Sequence, residues 1–372
     1  MKISCTQENL KMGLFAVSGI AGRNLNLPIL NNILIEVEEK SIKLLSTNLE
    51  IGIECFVRGK ADTGGRVVLP AKIIYDYVSL LPNEAVNLEL VENELDVRCS
   101  KYKTKIKTAQ AEEFPLIPKI KEENKLLINK EEFKKTLSQA LFAASLDEMR
   151  AELGGVLLKY TKNNKTLEVA ATDSYRLAEK KIKIQSDAND FKVIVPAKSL
   201  QELVRIIAGY KEEIEDKGDI EIYISENQAV FAFNDIKLTT RLIDGQYPDY
   251  KQIIPQEGKT KSIINTQEFI KTIKVNSLFS KSDSADIILE FKDGELAVTS
   301  KNEQLGESTA SFDIEKQGND NKIILNYRYL IDGLNNLKSD EVLFEMTDSN
   351  NPCILKPKGK DDYLYLIMPI RE

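Results

Sequence analysis

Three observations predict an α+β chain of three tandem domains, each with two helices packed on antiparallel sheet. A repeat runs close to one third of the 372 residues, each copy holds two amphipathic helical stretches, and short alternating apolar segments lie between them. The phrase V-V-L-P-A-K at residues 67–72 returns as V-I-V-P-A-K at 193–198 and more loosely as I-I-L-N-Y-R at 323–328, so Lys72, Lys198 and Arg328 stand 126 and 130 residues apart. S-T-N-L-E from Ser46 is echoed by A-T-D-S-Y from Ala171 and T-S-K-N-E from Thr299. F-P-L-I-P from Phe114 is echoed by Y-P-D-Y-K-Q-I-I-P from Tyr247 and by M-P-I from Met368. Such a unit exceeds the roughly 20–50 residues of a solenoid repeat and has the size of a domain with its own core. The domains are expected at 1–124, 125–258 and 259–372.

Each copy opens with a helix. Leu10, Leu14 and Val17 fall at i, i+4, i+7, as do Phe133, Leu137 and Ala140, then Phe269, Ile273 and Asn276. Lys11, Lys134, Lys135, Lys271 and Lys274 interrupt these positions and give each helix a basic face. Strands are expected at 33–37, 43–45, 51–57, 156–160, 220–224 and 230–233, where apolar residues alternate. A second helix follows the repeated phrase, with Pro70 and Pro196 in its first turn and Asn326 as the cap of the third copy. Its apolar stripe runs through Ile74, Tyr77, Val78 and Leu81, through Leu200, Leu203, Val204 and Ile207, and through Leu330, Leu334 and Leu337. Lys72, Lys198 and Arg328 therefore begin these second helices.

Composition removes several chemistries. The chain has no histidine, so the commonest general base and the commonest transition-metal ligand are missing, and neither a G-x-x-x-x-G-K-[ST] nor a G-x-G-x-x-G phosphate cradle occurs. Cys5, Cys55, Cys99 and Cys353 lack C-x-x-C spacing and read as reduced, buried thiols. No apolar run approaches the ~18 residues of a membrane span, and M-K-I-S-C-T-Q carries no signal-peptide core, so a cytoplasmic location without membrane contact is expected. Acidic residues exceed basic ones, giving a net charge of −7, and lie mostly in mixed-charge runs such as 211–219.

The order T-D-S-Y-R-L, V-I-V-P-A-K, L-I-D-G-Q-Y-P-D-Y, L-N-Y-R-Y-L and I-M-P-I-R, spread over the whole chain, resembles the bacterial sliding clamps, the β subunits of DNA polymerase III. The resemblance implies three domains of the DNA-clamp fold and a head-to-tail homodimer closed into a ring, helices inside and sheets outside, around double-stranded DNA. It implies a processivity factor without catalytic residues, metal or cofactor. Its partners would be the replicative polymerase, the clamp loader and repair proteins, bound through short linear motifs. Helix diameter agrees with two chains: six inner helices about 10 Å across leave a bore of only about 9 Å, whereas twelve leave about 28 Å. Encirclement also reconciles the acidic net charge with a DNA partner, since a topological link needs only a modestly positive inner wall. A metal-dependent nuclease or phosphotransferase using clustered Asp and Glu is the reading from another class. A scaffold that never meets DNA is disfavoured by basic positions recurring in all three copies.

Residue by residue, the resemblance implies a peptide pocket of Leu153, Thr172, Tyr175, Arg176, Leu177, Pro248, Ile253, Asn326, Tyr329, Leu366, Met368, Pro369, Ile370 and Arg371. Tyr175 and Gln252 depart from the histidine and arginine common in the family. The DNA-facing candidates are Lys11, Arg23, Lys72, Lys134, Lys135, Lys198, Arg205, Lys271, Lys274, Lys281 and Arg328. For the dimer edge, residues 98–107 read as one strand whose lysines alternate with Tyr102, Thr104 and Ile106. Arg98, Lys101, Lys103 and Ile106 are expected to meet Leu278, Phe279, Glu303 and Glu307 of a second copy.

Overall fold

The computed structural model describes all residues except 23–25, 40, 118–123, 148, 187, 211–217 and 372. One element order recurs three times, with five strands between the two helices of the first and third repeats and, among the described residues, four in the second. The first repeat runs β1 (Lys2–Thr6), α1 (Gln7–Ser18), β2 (Asn32–Glu38), β3 (Ser41–Thr47), β4 (Ile51–Val57), β5 (Gly59–Thr63), β6 (Gly65–Pro70), α2 (Ala71–Leu80), β7 (Ala85–Val91), β8 (Glu94–Cys99) and β9 (Tyr102–Lys107). The second runs β10 (Lys125–Asn129), α3 (Lys130–Leu141), β11 (Gly155–Thr161), β12 (Thr166–Thr172), β13 (Arg176–Lys183), β14 (Phe191–Pro196), α4 (Ala197–Gly209), β15 (Asp219–Ile224), β16 (Gln228–Phe233) and β17 (Ile236–Arg241). The third runs β18 (Thr260–Asn265), α5 (Thr266–Asn276), β19 (Asp286–Lys292), β20 (Glu295–Asn302), β21 (Gly306–Asp313), β22 (Glu315–Gly318), β23 (Asn321–Asn326), α6 (Tyr327–Leu337), β24 (Glu341–Met346), β25 (Cys353–Pro357) and β26 (Tyr363–Ile367).

Local chemistry repeats with the order. Thr6, Asn129 and Asn265 accept from the amides of Asn9, Glu132 and Glu268 at the starts of α1, α3 and α5, and each of those helices has acid in its first turn. The second helices differ: α2, α4 and α6 have none. Asn326 caps α6 as expected, accepting from the amides of Arg328 and Tyr329. Pro70 and Pro196 do not enter a first helical turn; they close β6 and β14, and Pro70 is the residue just before α2. An extended ψ of 117° at Pro70 lets it finish the strand, and its missing N–H loses no helical bond there.

Two compact units result, because sheets continue across the repeats. One unit comprises residues 1–134, 184–189 and 198–243, the other 135–183, 190–197 and 244–372. In the first, a five-stranded sheet runs β5-β1-β7-β8-β9 and an eight-stranded one β10-β15-β16-β17-β4-β3-β2-β6. The joint is the antiparallel ladder of β17 with β4, from Ile236 against Cys55 to Thr240 against Ile51. In the second unit a nine-stranded sheet runs β14-β11-β12-β13-β26-β25-β24-β18-β22 and a four-stranded one β21-β20-β19-β23. There the joint is β26 on β13, from Arg176 against Ile367 to Lys180 against Tyr363.

All the predicted strands are present, and the helical stripes Leu10/Leu14/Val17, Phe133/Leu137/Ala140 and Phe269/Ile273/Asn276 are fully buried. Two further sequence readings need correction. Residues 98–107 form a hairpin: β8 ends at Cys99, Ser100 turns with φ 51°, and β9 starts at Tyr102, so Arg98 faces Lys103 across the ladder instead of preceding it on one strand. In the third echo the offset is wrong by one. Asn302 accepts from the amides of Gln304 and Leu305 as Asn48 does from those of Glu50 and Ile51, so Asn302 matches Asn48, not Leu49. The four cysteines are free and buried as expected, and burial pushes the thiols of Cys5, Cys55 and Cys353 up to about 12.

Candidate functional site

In the second unit the turn between β12 and β13 gathers a connected polar network. Asp173 Oδ1 accepts from the amides of Tyr175 and Arg176, both over 2.9 Å, and its Oδ2 accepts from Arg176 Nε over 3.0 Å. The same guanidinium donates to Asp332 over 2.5 Å and to the Phe142 carbonyl over 2.9 Å. It lies 4.6 Å from the ring centre of Tyr329, which stacks on Tyr175 at 6.4 Å and 21°. Tyr365 donates its hydroxyl to the Tyr329 carbonyl over 2.8 Å, and a Cβ added to Gly333 would lie 2.1 Å from the Tyr365 ring, so only glycine lets α6 close on that ring. Burial lifts the Tyr365 phenol far above its usual range, against the pull of Arg176.

These contacts place most of the predicted pocket on one surface. Tyr175 is 63% exposed, Met368, Pro369 and Ile370 are half-buried, and the Met368 amide donates to the Tyr175 carbonyl over 2.8 Å. The Ile370 amide donates to the Ile324 carbonyl over 2.8 Å, and Arg371 is exposed. Leu153, Thr172, Leu177 and Leu366 are buried, with Leu177 and Leu366 opposite each other in the ladder. They form floor, not contact surface. Pro248 and Ile253 sit on the connector after β17, where Ile253 is 44% exposed. Two bonds pin that connector: Tyr250 donates to buried Glu179, and Lys251 donates to Glu168 over 3.0 Å. Gln252 is turned to Asp249. Sequence reasoning missed Phe142, Asp332, Tyr365 and Tyr250. Only Tyr250 lay inside a repeated phrase; the others are joined to Arg176 by the fold alone.

Among the cation candidates, Lys11, Lys72, Lys135, Lys198, Lys271, Lys274 and Arg328 are exposed on helices. Lys72, Lys198 and Arg328 are each the second residue of their helix. Lys134 is paired with Glu131 one turn earlier, and Lys281 lies 3.9 Å from Glu303. Arg205 is engaged by the protein itself: it donates to the carbonyls of Phe15 and Ala16 over 2.9 and 3.3 Å, pairs with Glu202, and covers the Phe15 ring at 4.2 Å. It closes the end of α1. Arg23 lies outside the described residues.

The edge candidates fall on or beside two terminal strands. On β9, Lys103 and Lys105 pair back to Asp96 and Glu94, Lys101 sits over the Tyr102 ring at 5.6 Å, and Ile106 is buried. A hydrogen bond from Arg98 holds the Asp96 carboxyl below its ordinary range in spite of burial. On the side of β21, Leu278 is 71% exposed, Phe279 half-buried, and Glu307 pairs with Lys301 over 3.0 Å. Among the described residues no three His, Cys, Asp or Glu side chains converge as a metal-ligand set, and no helix is long and apolar enough to cross a membrane.

Comparison with known proteins fits this geometry. The N-terminal, central and C-terminal domain models of the DNA polymerase III beta subunit match residues 1–118, 127–249 and 251–371. The chain is 30% identical over 396 residues to the beta sliding clamp of Synechocystis sp., spanning 100% of this chain and 99% of that one. It is 30% identical over 358 residues to that of Streptococcus pneumoniae, spanning 93% and 92%. Its fold is similar to that of the DNA polymerase III beta subunit from Thermotoga maritima, with TM-score 0.94 and 26% identity over 100% of this chain and 99% of that one. The DNA polymerase sliding clamp from Bacillus subtilis gives 0.91 and 27% over 100% and 99%. With its three repeats and both joints matched along the whole length, the chain belongs to the DNA polymerase III beta subunit family, the sliding clamps, which are non-catalytic processivity factors of DNA replication.

Proposed function

We propose that two copies of this chain join head to tail into a closed ring around duplex DNA, hold the replicative polymerase there, and receive clamp-loader and repair proteins through short linear motifs. The observation that carries this reading is an incomplete joint. In each repeat the third strand after the first helix is β4, β13 or β21, and the third after the second helix is β9, β17 or β26. β17 pairs with β4 and β26 with β13, while β21 and β9 are both sheet edges. One chain thus has two finished joints and the loose halves of a third, which a second copy would complete twice by two-fold symmetry. Opposite charge supports the pairing: β9 carries Lys103, Lys105 and Lys107, and Glu303 and Glu307 flank the start of β21. Lysines on an open edge also discourage wrong partners.

For DNA, the supporting feature is Lys72, Lys198 and Arg328. A cation at a helix start opposes the macrodipole by about 0.3–1 kcal/mol, and a nearby phosphate reverses that sign. For motifs, the groove at Tyr175, Tyr329 and Met368 offers an aromatic wall, an adaptable thioether and a floor of leucines, suited to a leucine or phenylalanine anchor. The three domains divide near residues 124 and 258, and the site of action is the cytoplasm. Solution mass and retention on DNA test the reading together. A mass of two chains, with retention on circular but not on linearised DNA, is expected; equal retention on both would sink encirclement.

A further inference from the structure

The turn that carries Tyr175 has a second copy in the other compact unit. Around residues 172–176 the Thr172 hydroxyl donates to the Arg176 carbonyl over 2.6 Å, the Ser174 amide donates to that hydroxyl over 3.1 Å, and Asp173 Oδ1 accepts from the next two amides. Around 47–51 the Thr47 hydroxyl donates to the Ile51 carbonyl over 2.9 Å, the Leu49 amide donates to Thr47 over 3.0 Å, and Asn48 Oδ1 accepts from the amides of Glu50 and Ile51 over 3.1 and 2.7 Å. Ser174 and Leu49 share a left-handed backbone, φ 79° and 74°. A strand docks on each turn alike: the Arg241 amide donates to the Glu50 carbonyl over 3.0 Å, as Met368 does to Tyr175. Even the floor repeats, since buried Leu30 and Leu153 each donate their amide to the carbonyl three residues back.

The copies differ in what they expose. A side chain other than glycine in the left-handed region costs on the order of 1 kcal/mol or more, and burial does not offset that cost at Leu49, which is 48% exposed. Leu116, counterpart of Ile253 in the shorter connector, is 86% exposed. Gly52 replaces Leu177, and Ile117 fills the space, because a Cβ on Gly52 would stand 2.7 Å from the Ile117 side chain. Ile117 rests in turn on the cluster of Leu34, Leu45, Val68 and Phe114, so the floor is firm and apolar. At the rim, exposed Arg241 takes the place of Met368.

We propose that this turn is a second peptide groove, taking an extended segment of a partner protein with a leucine anchor for Leu49 and Leu116 and an adjoining carboxylate for Arg241. The inference rests on the reading of the first groove only for the class of ligand. The frame argues for a peptide, and the guanidinium at the apolar rim argues for an acidic neighbour to the anchor. Glu50 and Ser199 stand where the first groove has Tyr175 and Tyr329, so the second groove lacks the aromatic wall and binds more weakly.

The test is photo-cross-linking of the full-length protein with a synthetic hexapeptide amide, glycine-serine-photoleucine-aspartate-serine-glycine, followed by peptide mapping. Adducts are expected near Leu49 and Leu116 as well as near Tyr175 and Met368. Leu116→Asp should cut the yield at the second groove about tenfold and leave the first unchanged, with Tyr175→Ala doing the converse. Leu49→Gly, which relieves the left-handed strain, should keep or raise the melting temperature while losing the second adduct. Adducts confined to the first groove, or undiminished in Leu49→Gly, overturn this proposal alone. Adducts confined to the second groove support it and count against the first, and adducts at neither overturn both.

Discussion

Arg176 and Tyr329 lie 4.6 Å apart, guanidinium to ring centre, and this contact orients the exposed rim of the groove because Tyr175 stacks on the same ring. Arg176 is itself almost enclosed, held by Asp173, Asp332 and the Phe142 carbonyl. Arg176→Ala takes the guanidinium from both Asp173 and Asp332 and should cost about 2 kcal/mol, below the range for fully buried pairs because Asp173 keeps its two backbone amides and Asp332 reaches solvent. Loss of motif-peptide binding should accompany it. Thermal melts and peptide titration check both, and unchanged peptide affinity would separate Tyr329 from recognition.

Surface and floor of the groove should respond differently to truncation. Met368→Ala and Tyr175→Ala remove exposed or half-buried contacts, so peptide affinity is expected to fall at least tenfold with the melting temperature nearly constant. Leu177→Ala opens a cavity under a fully buried side chain and should destabilise by about 2–5 kcal/mol. Titration calorimetry beside thermal denaturation distinguishes the two.

Charge reversal at Lys72, Lys198 and Arg328 should move stability and DNA retention in opposite directions. Glutamate at the second residue of each helix favours the dipole by about 0.3–1 kcal/mol per site, so the triple variant is expected to melt no lower than the parent. Retention on circular DNA should drop at low salt, and the gap from the parent should narrow as salt rises. Unaltered retention would remove these three from the inner wall.

Leu278→Asp should shift the solution mass from two chains toward one by placing a charge on an exposed apolar contact. Glu307→Lys should do the same while breaking only its exposed pair with Lys301. Sedimentation at several concentrations measures this. A dimer unchanged in both variants would contradict the β9–β21 joint.

The buried thiols predict an alkaline limit to stability. Cys5, Cys55 and Cys353 hold their protons until about 12, whereas an unfolded cysteine releases its proton near 8.5. Between those values the unfolded chain binds fewer protons than the native one, so unfolding free energy falls as pH rises. Melting temperature should decline from about pH 8.5 upward, and substitution of these cysteines by alanine should flatten that decline. A thiol reagent should label the native protein slowly and all four cysteines in denaturant.

The recurrence of whole phrases fixed the number of repeats, and 3.6-residue spacing fixed the six helices, because both are local properties that side chains carry along the chain. Asn326 as a cap was legible for the same reason. The hairpin at Ser100 was hidden because lysines alternate through the turn as they would along one strand. Arg205 reads as one more surface cation until Phe15 and Ala16, 190 and 189 residues away, supply carbonyls to it. Likewise Asp332 meets Arg176 across 156 residues, and β17 joins β4 although no pattern in either strand names its neighbour. By itself, then, the sequence determined the repeat, its helices and the family they resemble. Only the tertiary structure decided which cations are already engaged, which leucines are buried, and where two joints close while β9 and β21 end as sheet edges, since pairing across long separations depends on where the rest of the chain has packed.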